Sequence, residues 1–127
     1  MIKRITSPNL PHALGPYAHS TILNDIVFVS GQIGLDPQTN IMRETLEEQT
    51  LQVLRNLSLI LEDSGSSMQD VAKITIFLAD IASFATVNQI YEAFIGDNYP
   101  ARATVAVAAL PAGALIEMDA IAGLKKV

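Results

Sequence analysis

The stretch PARATVAVAALPAGALIEMDAIA, residues 100–122, organises this chain of 127 residues. It holds two apolar runs on either side of a Pro-Ala-Gly turn, and each run alternates with the two-residue period of a β-strand. Arg102 and Thr104 share one face of the first run, and Glu117 and Asp119 share one face of the second. Because a charge is costly to bury without a partner, these faces are either half-exposed surface or a place for chemistry.

Outward from this stretch, the pattern predicts a small set of further elements. Thr45 and Glu48 have the spacing of a capping box and open a helix that ends near Gly65. A second helix begins at Asp80 or Ser83. Further strands are predicted at four places: 2–5, 17–23, 26–30 and 71–79. The strand at 26–30 is apolar enough to be buried on both faces.

The order of these elements predicts the fold class. Three strands precede the first helix, one strand separates the helices, and two strands follow. Each helix has one apolar stripe to bury, which favours an α+β fold with both helices on one face of a single sheet. No linker or repeat interrupts the chain, so we expect one domain over residues 1–127, with subunit association covering the other sheet face.

Composition limits the chemistry. The chain has no cysteine, which excludes disulfides, thiol nucleophiles and thiolate metal sites. Its two histidines, His12 and His19, are too few for the usual imidazole zinc site, and we expect both in loops or at the surface. The sequence therefore predicts no metal, and catalysis must use carboxylates, arginine, hydroxyls and backbone groups.

Charge and hydrophobicity limit the partners. Thirteen acidic residues against eight Lys and Arg give a net charge of −5, which opposes binding to a phosphate backbone. No run of 18 apolar residues and no secretory pattern stands in the sequence. We therefore expect no nucleic acid, no membrane and a cytoplasmic location.

Two positions outside residues 100–122 are candidates for ligand contact. Ser30-Gly31 follows the apolar strand at 26–30, and a glycine there permits close backbone approach. Asn88 falls within the apolar stripe of the second helix, where its amide must find hydrogen-bond partners. Asn88 therefore either braces a neighbouring loop or faces a ligand.

Four pieces carry a resemblance over nearly the whole chain. They are Gly15-Pro16-Tyr17, Ser30-Gly31-Gln32, the two segments 85–88 and 91–94, and Pro100-Ala101-Arg102 together with 116–122. In this order and spacing the chain resembles the reactive intermediate/imine deaminase (RidA, YjgF) family. The resemblance implies a chorismate-mutase-like α+β fold, with a single mixed sheet of about six strands and two helices on one face. It also implies a homotrimer with clefts between subunits.

The resemblance further implies the reaction and the residues that perform it. The expected activity is hydrolysis of 2-imino or enamine acids, such as 2-iminobutanoate and 2-iminopropanoate, to 2-oxo acids and ammonia without a cofactor. Arg102 matches the arginine that anchors the substrate carboxylate through two hydrogen bonds, and Glu117 matches the glutamate that positions water and accepts its proton. Substrate-binding positions are matched by five residues: Tyr17, Ser30, Gly31, Asn88 and Thr104.

Thr104 and Asp119 are less clearly assigned. Many deaminases of the family carry cysteine where this chain has Thr104, which matters little if the position contributes only its backbone. Asp119 lies one strand period from Glu117, and we expect it to support the structure.

Two alternatives stay open at this stage. In a simple hairpin Arg102 would pair near residue 122, which leaves Glu117 about 17 Å away along the strand. Either the two strands are not neighbours, or Arg102 of one subunit works with Glu117 of another.

The chain could also be a trimer that binds or senses small 2-oxo acids without turning them over.

Overall fold

The structure is a computed structural model that describes residues 1–11 and 13–125, so that His12 lies outside the described residues. It contains six strands and two helices among them. In chain order they are β1 (Ile2–Ile5), β2 (Ser20–Leu23), β3 (Ile26–Ile33), α1 (Leu46–Asp63), β4 (Val71–Leu78), α2 (Phe84–Ile95), β5 (Ala101–Ala106) and β6 (Ile116–Gly123). The predicted order of strands and helices is confirmed.

The strands form one mixed sheet in the order β1-β2-β3-β6-β4-β5. All neighbouring pairs are antiparallel except β4 and β5, which are parallel and are joined through α2. The last strand, β6, is inserted between β3 and β4, so that α1 crosses over it. The predicted single mixed sheet is therefore confirmed. Because β4 separates β5 from β6, a simple hairpin of the two strands is excluded.

Both helices pack on the same face of the sheet and enclose one hydrophobic core. Helix α1 begins with the predicted capping box: Thr45 Oγ1 accepts from the Glu48 backbone N at 3.1 Å, and Glu48 Oε1 accepts from the Thr45 backbone N at 3.2 Å. An N-cap of this kind stabilises a helix by about 1 kcal/mol. The core joins apolar residues of both helices to those of the central strands: Val53, Leu54, Leu57, Ile60, Leu61, Val87, Val27, Val29, Ile74, Ile76, Met118 and Ala120.

No helix of the described residues covers the opposite face of the sheet, which carries exposed apolar side chains together with Thr75, Glu117 and Asp119. Ile26 and Phe28 of β3 are 45% and 39% exposed, and Ile121 of β6 and Val105 of β5 are also exposed. The prediction that the strand at 26–30 is buried on both faces is therefore wrong for the single chain, because the helices cover only one face. We call this uncovered surface the open face.

Two strand boundaries near Ser30 differ from the predicted ones, namely the end of β3 and the start of β2. Strand β3 continues past Ser30 to Ile33, because a bulge between Val29 and Gln32 lets pairing with β6 resume. Strand β2 begins at Ser20 rather than 17, since the carbonyl oxygens of Ala18 and His19 accept hydrogen bonds from the Oγ and N of Ser30 instead. Among the helices of the described residues, none is both long and apolar enough to cross a membrane.

The start of α2 settles the open choice of cap. Asp80 accepts a hydrogen bond from the Ala82 backbone N at 2.9 Å and so caps the short 3-10 turn Ile81–Ser83. Ser83 directly precedes α2 but makes no capping bond with its side chain.

Candidate active site

The predicted site residues fall into two groups on opposite faces of the sheet. Arg102 pairs with Ile74, whose side chain is in the core, so the Arg102 side chain leaves β5 on the helix-covered face. Glu117 pairs with Phe77 and alternates with the buried Ile116 and Met118, so its side chain lies on the open face. Directly paired residues share a face of a sheet, whereas successive residues of a strand alternate.

The first group, which we call the anchor half, surrounds Arg102 at the edge strand. The Arg102 Cζ atom lies 5.0 Å from the ring centroid of Tyr91 and 5.5 Å from that of Phe84, both on α2. None of the ion pairs formed among the described residues involves Arg102. An open cleft of about 290 Å³ is lined here by Asn88, Tyr91, Glu92, Tyr99, Pro100 and Arg102.

Three buried polar atoms in the anchor half have no hydrogen-bond partner among residues 1–11 and 13–125. They are Asn88 Oδ1, the Tyr91 hydroxyl and Thr104 Oγ1. Nearly all buried polar groups in native proteins are paired, so such a cluster indicates that another molecule or chain completes the region. Asn88 thus braces no loop of this chain through Oδ1. Burial raises the pKa of Tyr91 and outweighs the opposing charge of Arg102, so the phenol stays neutral.

The second group, which we call the base half, surrounds Glu117 at the bulge of β3. The Glu117 carboxylate packs against the Cα of Gly31: a Cβ at that position would collide with Oε2 and lie 3.0 Å from Cδ. Glycine is therefore required for this approach. Burial raises the pKa of Glu117, and the nearby negative charge of Asp119 raises it further. Such a carboxylate accepts a proton more readily than an ordinary glutamate.

Ser30 and Tyr17 accompany Gly31 in the base half. Ser30 Oγ donates to the Ala18 carbonyl at 2.6 Å, so its side chain braces the incoming loop, and its oxygen keeps the capacity to accept a hydrogen bond. Tyr17 is 46% exposed and lines a small cavity of about 40 Å³ together with Gly31 and Gln32. Tyr17 is therefore available for contact with a ligand or a second chain.

His19, which the sequence left unassigned, holds the loop that carries Tyr17. It is buried, with 4% of its surface exposed, and both ring nitrogens bond to backbone. Nδ1 accepts from the Ser7 backbone N at 2.8 Å, and Nε2 lies 3.1 Å from the Pro11 carbonyl oxygen, to which it donates in the neutral ring. The Ser7 and Asn9 side chains in turn donate to Asp63 at the end of α1. A turn-rich loop needs such partners for its backbone groups, but no sequence pattern marks His19 as the residue that supplies them.

The two halves do not meet within one chain. Arg102 is two strands away from Glu117 and displaced by three residues along the sheet, which places their Cα atoms about 14 Å apart, with side chains on opposite faces. No group of three or more His, Asp and Glu side chains arranged for a metal ion is found in residues 1–11 and 13–125.

Comparisons with known proteins agree with this architecture. Residues 7–124 match the family model described as endoribonuclease L-PSP. The chain is 42% identical over 125 residues to 2-iminobutanoate/2-iminopropanoate deaminase of Salmonella typhimurium, covering 96% of this chain and 98% of that protein. The Homo sapiens protein of the same name is 40% identical over 124 residues, covering 96% and 90%. The crystal structure of E. coli TdcF with bound serine has a TM-score of 0.92 at 36% identity, covering 97% of this chain and 99% of that one.

Proposed function

The chain belongs to the endoribonuclease L-PSP family, and because it is 40% and 42% identical to two 2-iminobutanoate/2-iminopropanoate deaminases, we propose that it is itself an imine deaminase. As one domain over residues 1–127, it hydrolyses 2-imino and enamine acids such as 2-iminobutanoate and 2-iminopropanoate to 2-oxo acids and ammonia. No cofactor takes part. The observation that supports the proposal most directly is that one chain presents a guanidinium with no ion-pair partner among the described residues and a glutamate whose pKa is raised.

Arg102 anchors the substrate in this proposal. Its planar fork of N–H donors forms two parallel hydrogen bonds with a carboxylate, which a lysine cannot reproduce. The unpaired Asn88 Oδ1 can only accept a hydrogen bond, which suits the N–H of an imine, and the Thr104 hydroxyl can donate. The bound serine of the TdcF structure supports a small ligand with a carboxylate and a nitrogen.

Glu117 activates water. The ionised carboxylate accepts a proton from a water molecule as the oxygen bonds to C2 of the protonated imine, and a carbinolamine results. Glu117 then returns the proton to the nitrogen, the C2–N bond breaks, and ammonia leaves as the Glu117 carboxylate takes the hydroxyl proton and the carbonyl forms. That proton passes to ammonia, which restores the ionised carboxylate. Gly31 makes room for the carboxylate, and Tyr17 and Ser30 complete and brace this side of the cleft.

The active site is composed between protomers of a homotrimer. Arg102 of one protomer meets Glu117 of another, because the two side chains of a single chain point away from each other. The open face supplies the surface for association, because Ile26, Phe28 and Ile121 are exposed apolar side chains on its paired strands β3 and β6. Association buries this surface and brings the anchor and base halves together.

A coupled assay tests the activity. A dehydratase generates 2-iminobutanoate in place, and its decay is followed with wild type, Arg102→Ala and Glu117→Gln. Wild type should accelerate 2-oxobutanoate formation, and both variants should lose most of that acceleration. Wild type that leaves the decay unchanged yet binds 2-oxobutanoate would instead identify the chain as a trimer that binds metabolites without converting them.

A mixing experiment tests the composite site. Arg102→Ala and Glu117→Gln are each nearly inactive, but in mixed trimers a site is intact when each protomer supplies its unaltered half. Random assembly of equal amounts restores about one quarter of the wild-type sites. A site contained in one protomer would restore none.

RNA is a poor substrate for this surface because of the net charge of −5, and tight, salt-sensitive RNA binding would contradict the proposal.

A further inference from the structure

We propose that Tyr91 and Phe84 are positioning residues, whose aromatic rings form a platform that holds the Arg102 guanidinium ready for the substrate carboxylate. The inference deepens the proposed function and rests on it, because it takes Arg102 as the anchor. Neither ring was singled out for the site from the sequence, although both belong to the apolar stripe of α2.

The geometry of α2 places both rings beneath the same cation. Phe84 and Tyr91 are seven residues apart, which is close to two helical turns, so they lie on one side of the helix. Their centroids are 5.5 and 5.0 Å from Arg102 Cζ, within the range of about 6 Å in which a cation is attracted to a ring. Tyr91 is 4% exposed and is therefore fixed by the core, whereas Phe84 is 40% exposed.

An aromatic platform suits an anchor better than an acidic partner would. An Asp or Glu side chain beside Arg102 would occupy the N–H fork and would compete with the substrate carboxylate. A ring attracts the cation through its negative face and uses none of those donors. The side chain is thus held in place while its hydrogen-bonding edge stays free, and substrate need not organise a flexible arginine on binding.

The ring of Tyr91, and not its hydroxyl, performs this role. The hydroxyl is buried, and within the part of the chain that the structure describes it makes no hydrogen bond, to Arg102 or to any other residue. Because burial raises the pKa of Tyr91, the phenol does not ionise beside Arg102 and does not become a rival anion. Loss of the hydroxyl should therefore leave the anchor intact.

Two substitutions at Tyr91 separate the ring from everything else at that position. Tyr91→Phe keeps the ring and removes the hydroxyl, and Tyr91→Leu fills the core with an aliphatic side chain and removes the ring. The readouts are the Kd of 2-oxobutanoate by calorimetry, KM and kcat in the coupled assay, and thermal unfolding. A cation–ring contact of this kind corresponds to a change in affinity of roughly two- to thirtyfold.

We expect Tyr91→Phe to bind within about twofold of wild type, because the ring that contacts Arg102 is kept. Tyr91→Leu should raise both Kd and KM by roughly tenfold while kcat changes little, because anchoring is impaired and proton transfer is not. Phe84→Leu should raise them by roughly threefold, since its ring is more distant and more exposed, and Phe84→Tyr should restore the wild-type values.

Each other outcome decides against the inference. Wild-type affinity in Tyr91→Leu would overturn it, as would an equal loss in Tyr91→Phe, which would make the hydroxyl the contact. If Tyr91→Leu fails to fold, the comparison of Phe84→Leu with Phe84→Tyr tests the inference instead, because Phe84 is exposed and its replacement should not disturb the core. Arg102→Ala separates the two proposals: if it binds 2-oxobutanoate normally, the anchor itself is wrong, whereas lost binding in Arg102→Ala with normal binding in the ring variants refutes only the platform.

Discussion

The anchor half and the base half hold opposite charges in opposite surroundings. Arg102 lies on the helix-covered face at an edge strand, and two aromatic rings contact its guanidinium. Glu117 lies on the open face of a central strand, against a glycine and near a second carboxylate, Asp119. The rings stabilise the arginine as a cation, whereas burial and Asp119 make the ionised form of Glu117 less favourable.

This difference matches the two tasks. An anchor must stay charged throughout the reaction, and it needs donors that match a carboxylate, which arginine offers as a planar fork. A base must give up its negative charge for a proton, and a carboxylate with a raised pKa does so with less cost. The protein thus stabilises the group that only binds and leaves the group that reacts in a less favourable environment.

The largest effects are expected when the charge of Arg102 or of Glu117 is removed, which tests whether the two residues have different roles. Glu117→Gln should lower kcat by about a hundredfold to ten-thousandfold and leave the Kd of 2-oxobutanoate near that of wild type, because a general base contributes to rate and not to anchoring. Arg102→Ala should raise that Kd by roughly a hundredfold, since two charge-assisted hydrogen bonds are lost. Steady-state kinetics and calorimetry measure both. Equal effects of the two variants on kcat and Kd would contradict the division of roles.

A pair of glycines tests whether the base half depends on close packing. At Gly31 a Cβ would meet the movable end of the Glu117 side chain, so Gly31→Ala should displace the carboxylate and lower kcat by up to about a hundredfold with little loss of stability. At Gly34 the Cβ would lie 2.8 Å from the Gln49 Cα of α1, so Gly34→Ala should lower the unfolding temperature instead. Gly31→Ala with full activity would show that the carboxylate needs no such approach.

Much of the fold was accessible from the sequence because its signals are local. The capping box at Thr45 and Glu48 and the apolar stripe of α1 predicted that helix closely. The insertion of β6 between β3 and β4 was not accessible, because strand order depends on contacts far apart in sequence. The bulge at Ser30 and Gly31 was missed for the same reason, since it is defined by the opposing strand.

The candidate site was likewise predicted only in those features that depend on local sequence. The alternation of residues 100–122 correctly separated charged from apolar faces within each strand, but it could not show that Arg102 and Glu117 end on opposite faces of one sheet. The contact of Arg102 with Tyr91 was also hidden, because it depends on how α2 packs on the sheet beside β5, which the pattern of neither element shows. His19 gave no pattern at all, since its partners are backbone atoms of Ser7 and Pro11.

His19 tests whether the base half depends on the loop that carries Tyr17. His19→Ala removes the acceptor for the Ser7 N–H and should lower the free energy of unfolding by about 1–3 kcal/mol, because a buried donor is left unpaired. The loop that carries Tyr17 should then bind substrate several-fold more weakly. His19→Gln offers an acceptor and a donor as the neutral imidazole does, and it should recover most of both losses. Denaturant unfolding and KM measure the two effects, and a His19→Ala protein as stable as wild type would refute this role.

The smallest expected effect concerns Asp119, and it tests whether the base half is tuned by its neighbour. Glu117 must be ionised to accept a proton, so activity should fall as the pH drops through its raised pKa. Asp119→Asn removes a negative charge that raises that pKa, and the acid limb of the kcat/KM profile should therefore move to lower pH. Burial, the larger cause, remains, so the limb should stay above that of an ordinary glutamate. The same variant should leave the Kd of 2-oxobutanoate unchanged, because Arg102 does not contact Asp119 within the chain. A limb that does not move would assign the raised pKa to burial alone, and one that moves to higher pH would contradict the proposed role of Asp119.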